Sequence, residues 1–253
     1  MENLRVSVIT SVLKIDHDID LKKVYENIPI SSYIPFIEYG ANNIPKGFSE
    51  KLLKKKRKKK KKKIFYNQVT VHVVYEGKIM NVKLFNNGRI QITGLKREEQ
   101  AENLIEGLIE YFWEFDVFDE PVKLINTEIV LINSDFELGY QIDREALHDE
   151  IIDFGFYSSF EACIYPGVNI KYFINTNNEE QGICNCSGLC NGKGLGHGDG
   201  DCKKITIAVF KSGSVIITGA RNKSQLEECY RFIKNFIDSN KETFILKTNK
   251  SDE

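Results

Sequence analysis

The sequence predicts an α+β protein made of two tandem copies of one motif, in which antiparallel strands carry helices on one face. Three observations predict it. A ten-residue pattern, F-x-[NS]-G-x-[IV]-x-I-T-G, runs from Phe85 to Gly94 and again from Phe210 to Gly219, 125 residues apart in a chain of 253. Each copy alternates apolar and polar residues on both sides of a short turn, Asn87-Gly88 or Ser212-Gly213, which marks a β-hairpin whose glycine takes a positive φ. Each copy is followed by apolar residues at helical spacing: Leu104, Ile105, Leu108, Ile109 and Phe112 in the first half, and Leu226, Cys229, Ile233, Phe236 and Ile237 in the second.

The duplication extends upstream. In the first half LRVSVITSV alternates as a strand and precedes a helical segment, DLKKVYENI; in the second, TEIVLINSDF precedes DREALHDEII. A further strand begins at Tyr66 (YNQVTVHVVY) and at Tyr165 (YPGVNIKYF), and setting Tyr66 on Tyr165 places Val69 on Val168 and Val71 on Ile170. Each half therefore reads strand, helix, three-stranded meander, long helix. The expected organisation is a first repeat at 1–118 with a lysine-rich insertion at about 40–63, a second repeat at 119–238 with a cysteine- and glycine-rich insertion at about 175–203, and a C-terminal tail at 239–253. Period-two alternation assigns the faces. Val69, Val71 and Val73, like Val168, Ile170 and Tyr172, should pack under helices. Tyr66, Gln68, Thr70 and His72, like Tyr165, Gly167, Asn169 and Lys171, should line an open face that also carries Phe85 and Phe210.

Composition narrows the function. Apolar residues at 42% and charged residues at 28% exclude a disordered chain. No apolar run reaches the roughly 20 residues of a membrane helix, and the alternating N-terminus does not read as a secretory signal. Residues 54–63 are ten consecutive cations; without them 25 basic residues face 36 acidic ones, so any DNA-binding surface must be local. The run itself cannot pack and reads as a solvated loop, as a tolerated insertion, a nuclear-localisation segment or a nonspecific phosphate contact.

At these residues the chain resembles the TATA-box-binding protein family, in the divergent form carried by large nucleocytoplasmic DNA viruses. The resemblance spans roughly residues 4–113 and 124–238. It implies a saddle of one curved antiparallel sheet, helices on the convex face and the concave face on the DNA minor groove. Minor-groove readers favour apolar and small polar contacts, exploit deformability, and drive apolar wedges between base steps. The family's wedge pairs map onto Phe85 with Tyr66 and Phe210 with Tyr165, both partners being tyrosine where the family has phenylalanine; Phe65 is the alternative if the register slips by one. The remaining groove contacts map to Gln91 and Thr93, and to Ile216 and Thr218, so an amide replaces an aliphatic side chain in the first half. The phosphate-facing lysine after the hairpin glycine maps to Arg89 and, in the second half, to Ser214. The family's central asparagines map near Ser7 and Leu131 and are missing, with Asn133 as a substitute. Lys83 and Lys171 are expected phosphate contacts. These departures imply an altered or relaxed base preference.

Residues 184–202, CNCSGLCNGKGLGHGDGDC, hold Cys184, Cys186, Cys190 and Cys202 in a glycine-rich stretch. Four thiolates in one tight loop suit a structural Zn2+ site, with His197 a lesser ligand candidate. The alternative is a flexible reduced loop. The resemblance implies that the loop lies beside the one on which general transcription factor IIB docks, where Glu161 matches a family acidic residue. Cys229 should be core and Cys163 half-buried. His17, His72, His148 and His197 are scattered and no nucleophile motif occurs, so no enzyme is expected.

The expected function is a transcription initiation factor that binds the minor groove, bends promoter DNA and recruits a IIB-like factor and RNA polymerase. It would act as a monomer on DNA, in the nucleus or, for a virus, also in a cytoplasmic factory. The alternative is an interaction scaffold of the same fold with weakened or no DNA binding.

Overall fold

The computed structural model describes residues 3–41, 44–48, 65–175, 181–186, 190 and 202–246; the lysine run at 54–63 and His197 lie outside them. The chain divides into two compact units, residues 8–130 and residues 1–7 with 131–253. The first contains β1 (Arg5–Ile15), α1 (Leu21–Asn27), β2 (Phe36–Tyr39), β3 (Lys46–Gly47), β4 (Gln68–Tyr75), β5 (Lys78–Phe85), β6 (Arg89–Leu95) and α2 (Gln100–Glu114). Its strands lie in the order β3-β2-β4-β5-β6-β1 and its ladders are antiparallel. The second contains β7 (Leu124–Glu137, whose residues 124–130 belong to the first unit), α3 (Arg144–Asp153), β8 (Tyr157–Glu161), β9 (Tyr165–Ile174), β10 (Lys203–Phe210), β11 (Ser214–Ala220), α4 (Lys223–Ser239) and α5 (Lys241–Phe244). Its order is β7-β11-β10-β9-β8, again antiparallel. The expected α+β duplication is what the chain forms.

The structure adds a strand to each half that the three-stranded meander lacked. β2 pairs with β4, with Phe36 opposite His72, and β8 pairs with β9, with Tyr157 opposite Lys171. His72 and Lys171 are equivalent positions, so both edge strands occupy the same lane. β2 is only four residues long and follows Pro35, and β8 is YSSFE; neither run alternates long enough to be distinctive.

Alternation holds on the packed face. Val69, Val71, Val73, Val168 and Ile170 are fully buried, as are Val82, Ile92, Ile207 and Ile217 on the adjoining strands. Leu104, Ile105, Leu108 and Phe112 of α2, and Leu226, Cys229, Ile233 and Ile237 of α4, present buried stripes. Burying such aliphatic side chains contributes about 1.5–3 kcal/mol each. The opposite face of the first unit is less open than expected, because Thr70 and His72 are also buried and Phe36 stacks on the His72 ring at 4.8 Å. Phe244 is fully buried and Ile245 bridges to Ile142, which ties residues 239–246 into the packed second unit. Cys229 is core; Cys163 is exposed rather than half-buried.

Caps and bulges repeat with the motif. Asp20 accepts from the Lys22 and Lys23 amides at 2.9 and 3.0 Å, and Asp143 accepts from those of Glu145 and Ala146 at 3.1 Å, each starting its helix. The second glycine of each pattern, Gly94 (φ 121°) or Gly219 (φ 106°), sits where the ladder to β1 or β7 shifts register by a bulge.

The hairpin glycines are under tighter demands. Gly88 (φ 74°) and Gly213 (φ 88°) lie so close to the preceding strand-to-helix turn that an added Cβ would stand 2.2 Å from the His17 carbonyl oxygen and 2.1 Å from that of Tyr140. Gly88→Ala or Gly213→Ala combines an unfavourable φ with a clash against backbone. Each should destabilise by about 2 kcal/mol or more, read as a lower urea midpoint at unchanged slope.

Candidate nucleic-acid interface

Cross-strand register fixes which side chains stand together on the open faces. In the first unit one row across β4, β5, β6 and β1 is Thr70, Lys83, Gln91 and Val12. The equivalent row across β9, β10, β11 and β7 is Asn169, Ala208, Ile216 and Asp135. The next rows are His72, Asn81, Thr93 and Thr10, and Lys171, Thr206, Thr218 and Asn133. Thr93 hydroxyl meets that of Thr10 at 3.3 Å.

At the hairpin corner Gln68 stands opposite Phe85 and Gly167 opposite Phe210. Tyr66 and Tyr165 each lie two residues earlier, so the alignment of the two tyrosines is the register observed, not the one-residue slip to Phe65. The corners are nonetheless unequal. Tyr165 and Phe210 meet edge to face, with centroids 5.8 Å apart and planes at 62°. Their contact depends on Gly167, where a Cβ would approach both rings to 3.1 Å. In the first unit Gln68 fills that position, and Tyr66, before the start of β4, is 68% exposed against 40% for Tyr165.

Charge is placed unevenly too. The Arg89 guanidinium and the Lys83 ammonium have no ion-pair or hydrogen-bond partner among the described residues, so both are free to meet phosphate. Lys171 instead donates to Thr206 Oγ1 at 3.0 Å across the floor, and burial, with Lys204 nearby, holds its pKa below the usual lysine value. Two carboxylates that the sequence did not flag stand on these faces. Asp135 accepts from Arg5 Nη2 at 2.6 Å and from Nε at 3.2 Å. Glu128 lines a cavity of about 370 Å³ with Val12, Phe85, Asn86, Arg89 and Gln91. The signal for Asp135 is its place opposite Ile216, and that for Glu128 is its place in the cavity. Asn133 shares a row with Thr218, but its Oδ1 is buried with no hydrogen-bond partner among the described residues, as is Oδ1 of Asn169.

The cysteines converge. Sγ atoms of Cys184, Cys186, Cys190 and Cys202 all lie within 4.8 Å of one another. Four thiolates about 2.3 Å from one tetrahedral zinc would stand about 3.8 Å apart, so the set fits that ion. Asn175, 1% exposed, donates from Nδ2 to Cys202 Sγ at 3.4 Å. Gln181 holds Asn175 reciprocally: its Oε1 accepts from the Asn175 amide at 3.0 Å and its Nε2 donates to the Asn175 carbonyl at 2.7 Å. Gly182 and Phe173 exchange backbone hydrogen bonds at 2.8 and 3.1 Å, anchoring the returning chain beside β9.

The cluster lies in the insertion expected at about 175–203, between β9 and β10, but not beside the Glu161 turn. It joins the end of β9 to the start of β10, whereas Glu161 and Tyr165 flank the β8–β9 turn at the other end of β9. At about 3.3 Å per residue the two lie roughly 30 Å apart along the strand, so the cysteine loop does not neighbour that turn.

Three comparisons bear on this arrangement. The family model described as transcription factor TFIID (or TATA-binding protein, TBP) matches residues 200–239, which span β10, β11 and α4. A protein named TATA-box-binding protein-like from Acanthamoeba polyphaga mimivirus is 29% identical over 254 residues, covering 91% of this chain; the chain spans 64% of that relative's length. The solved structure of the TBP of Methanococcus jannaschii superposes with a TM-score of 0.54 at 16% identity, covering 95% of this chain and 99% of the other, a likeness of fold.

Proposed function

We propose that this chain is a divergent TATA-box-binding-protein-like protein that acts as a transcription initiation factor, binding duplex DNA in the minor groove and bending it. The observation that supports the reading is the corner of the second unit, where Tyr165 and Phe210 meet edge to face, with Phe85 at the matching ladder position of the first unit. A solvated sheet has no need of paired aromatics there, while a groove-binding wedge does. Thr93, Ile216 and Thr218 supply small contacts along the groove floor, and Arg89 and Lys83 supply phosphate contacts. Glu161 at the β8–β9 turn faces a IIB-like factor, which brings RNA polymerase. The protein works as a monomer on DNA, in the nucleus or in a cytoplasmic viral factory.

The cysteine cluster holds a structural zinc ion through Cys184, Cys186, Cys190 and Cys202. The ion supplies no reaction; it cross-links a glycine-rich loop with little apolar surface, and Asn175 steadies the Cys202 thiolate. An interaction scaffold without DNA binding is the second reading. Asp135 and Glu128 favour it, because carboxylates on a groove-facing surface oppose phosphate.

Bending of an end-labelled TATA-containing duplex, followed by fluorescence transfer beside a scrambled duplex at moderate salt, separates the two. The initiation factor should raise transfer on the TATA duplex, and Tyr165→Ala with Phe210→Ala should remove most of the rise. Unchanged transfer with the wild-type protein on either duplex leaves the scaffold. For the metal, one equivalent of Co2+ should give intense thiolate charge-transfer absorption, which Cys186→Ser removes. Zinc at a hundredfold over its Kd should stabilise the protein by about 2.7 kcal/mol. Asn175→Ala should weaken zinc binding roughly tenfold in a chelator competition.

A further inference from the structure

We infer that the open face of the first unit reads a guanine in the minor groove, through Gln91 and Glu128, whereas the second unit takes A·T pairs. The inference rests on the DNA-binding reading above and adds the base that each unit accepts.

The packed faces of the two halves match almost residue for residue, but the floors do not. In the row of the first unit, Lys83, Gln91 and Val12 stand where the second unit has Ala208, Ile216 and Asp135. Ala208 is 4% exposed and Ile216 is aliphatic, so this stretch of the second floor offers the groove no acceptor. Arg5 engages Asp135 through Oδ2 and compensates its charge, and the Oδ1 atoms of Asn133 and Asn169 are buried, so the amide oxygens are not presented to a base edge. An apolar floor fits the smooth minor-groove edge of A·T pairs and is obstructed by the 2-amino group of guanine, which it also leaves unpaired.

The first floor has the opposite chemistry. Gln91 and Glu128 both line the cavity beside Phe85, and neither side chain has a hydrogen-bond or ion-pair partner among the described residues. Gln91 can donate or accept. Glu128 decides between them, because a carboxylate only accepts. The minor-groove edges of A and T carry only acceptors, N3 and O2, which repel a carboxylate; the guanine 2-amino group is the one donor in that groove. Arg89, lining the same cavity without an ion pair to Glu128, supplies the positive charge that lets a carboxylate approach the phosphate backbone. The site therefore has an acceptor for guanine and a counter-charge for the strand.

The probe is an end-labelled A·T duplex into which one G·C pair is introduced, position by position, each duplex being paired with its inosine·C twin. Inosine lacks only the 2-amino group. At one or more positions in one half of the site, the guanine duplex should bind and bend with a Kd about tenfold below that of the inosine duplex. In the other half guanine should bind more weakly than inosine. Gln91→Val with Glu128→Gln should abolish the guanine preference, bringing the Kd values of the guanine and inosine duplexes together at every position. Equal binding of guanine and inosine duplexes at every position overturns the inference, as does a guanine preference that survives Gln91→Val with Glu128→Gln. A wild-type protein that bends A·T duplexes but ignores guanine overturns this inference alone. One that bends no duplex overturns the DNA-binding reading beneath it.

Discussion

The hairpin register is the constraint on which everything else in this molecule depends. In a strand the side-chain period is two, so a slip of one residue at Gly88 or Gly213 would carry Val82, Ile90 and Ile92, or their counterparts Ile207, Val215 and Ile217, from the helix-covered face to the open one. The same slip would bury Gln91 or Thr218. Two features prevent it. The glycine turn is locked under the carbonyl of His17 or Tyr140, and the bulge at Gly94 or Gly219 sets the offset to β1 or β7. The open face is thus a consequence of core packing: once the valines and isoleucines are committed inward, the identity of every outward residue is fixed.

That constraint explains what could be read from the sequence. The ten-residue pattern announced β5–β6 and β10–β11 because a glycine turn between alternating strands has few other uses, and superimposing Tyr66 on Tyr165 proved to be the register itself. The four cysteines were legible as a cluster from spacing alone. So was their place between β9 and β10, but not their separation from the Glu161 turn. Without β8, the polar edge strand YSSFE, the loop after β9 and the turn before it merged into one end of a meander, and the cysteines were set beside the wrong turn. Glu128 and Asp135 were illegible for a related reason. A carboxylate in an alternating strand reads as a solvated residue until its cross-strand neighbours, here Val12, Gln91 and Ile216, show that it stands on the floor.

The two halves diverge where packing permits. Val69 matches Val168, Val71 matches Ile170, Leu84 matches Val209 and Ile92 matches Ile217, all fully buried, because side chains that fill a close-packed layer are held to similar volume. No such limit acts on the open face, so Gln68 can stand where the other half has Gly167, and Lys83 where it has Ala208. The differences have consequences. Gly167 leaves room for two aromatic rings to meet and present one compact hydrophobic edge; in the first unit Gln68 stands at that position, bonded to Thr70, and Tyr66 is the more exposed ring.

Cations are distributed under a constraint of their own. A chain whose basic residues outside the lysine run number 25 against 36 acidic ones cannot hold DNA by overall field. It must place its few free cations where phosphate passes, and several on or near the faces are already engaged. Arg5 is held by Asp135, Lys171 by Thr206, and Lys14 by the Asn87 carbonyl. Arg89 and Lys83 of the first unit and Lys204 of the second have no such partner among the described residues. The better wedge, Tyr165 with Phe210, belongs to the second. Only Arg5 is paired with a carboxylate; Lys171 and Lys14 bond neutral oxygens and keep their charge, so on the proposed DNA-binding reading both still contribute to phosphate attraction and to the salt dependence of binding.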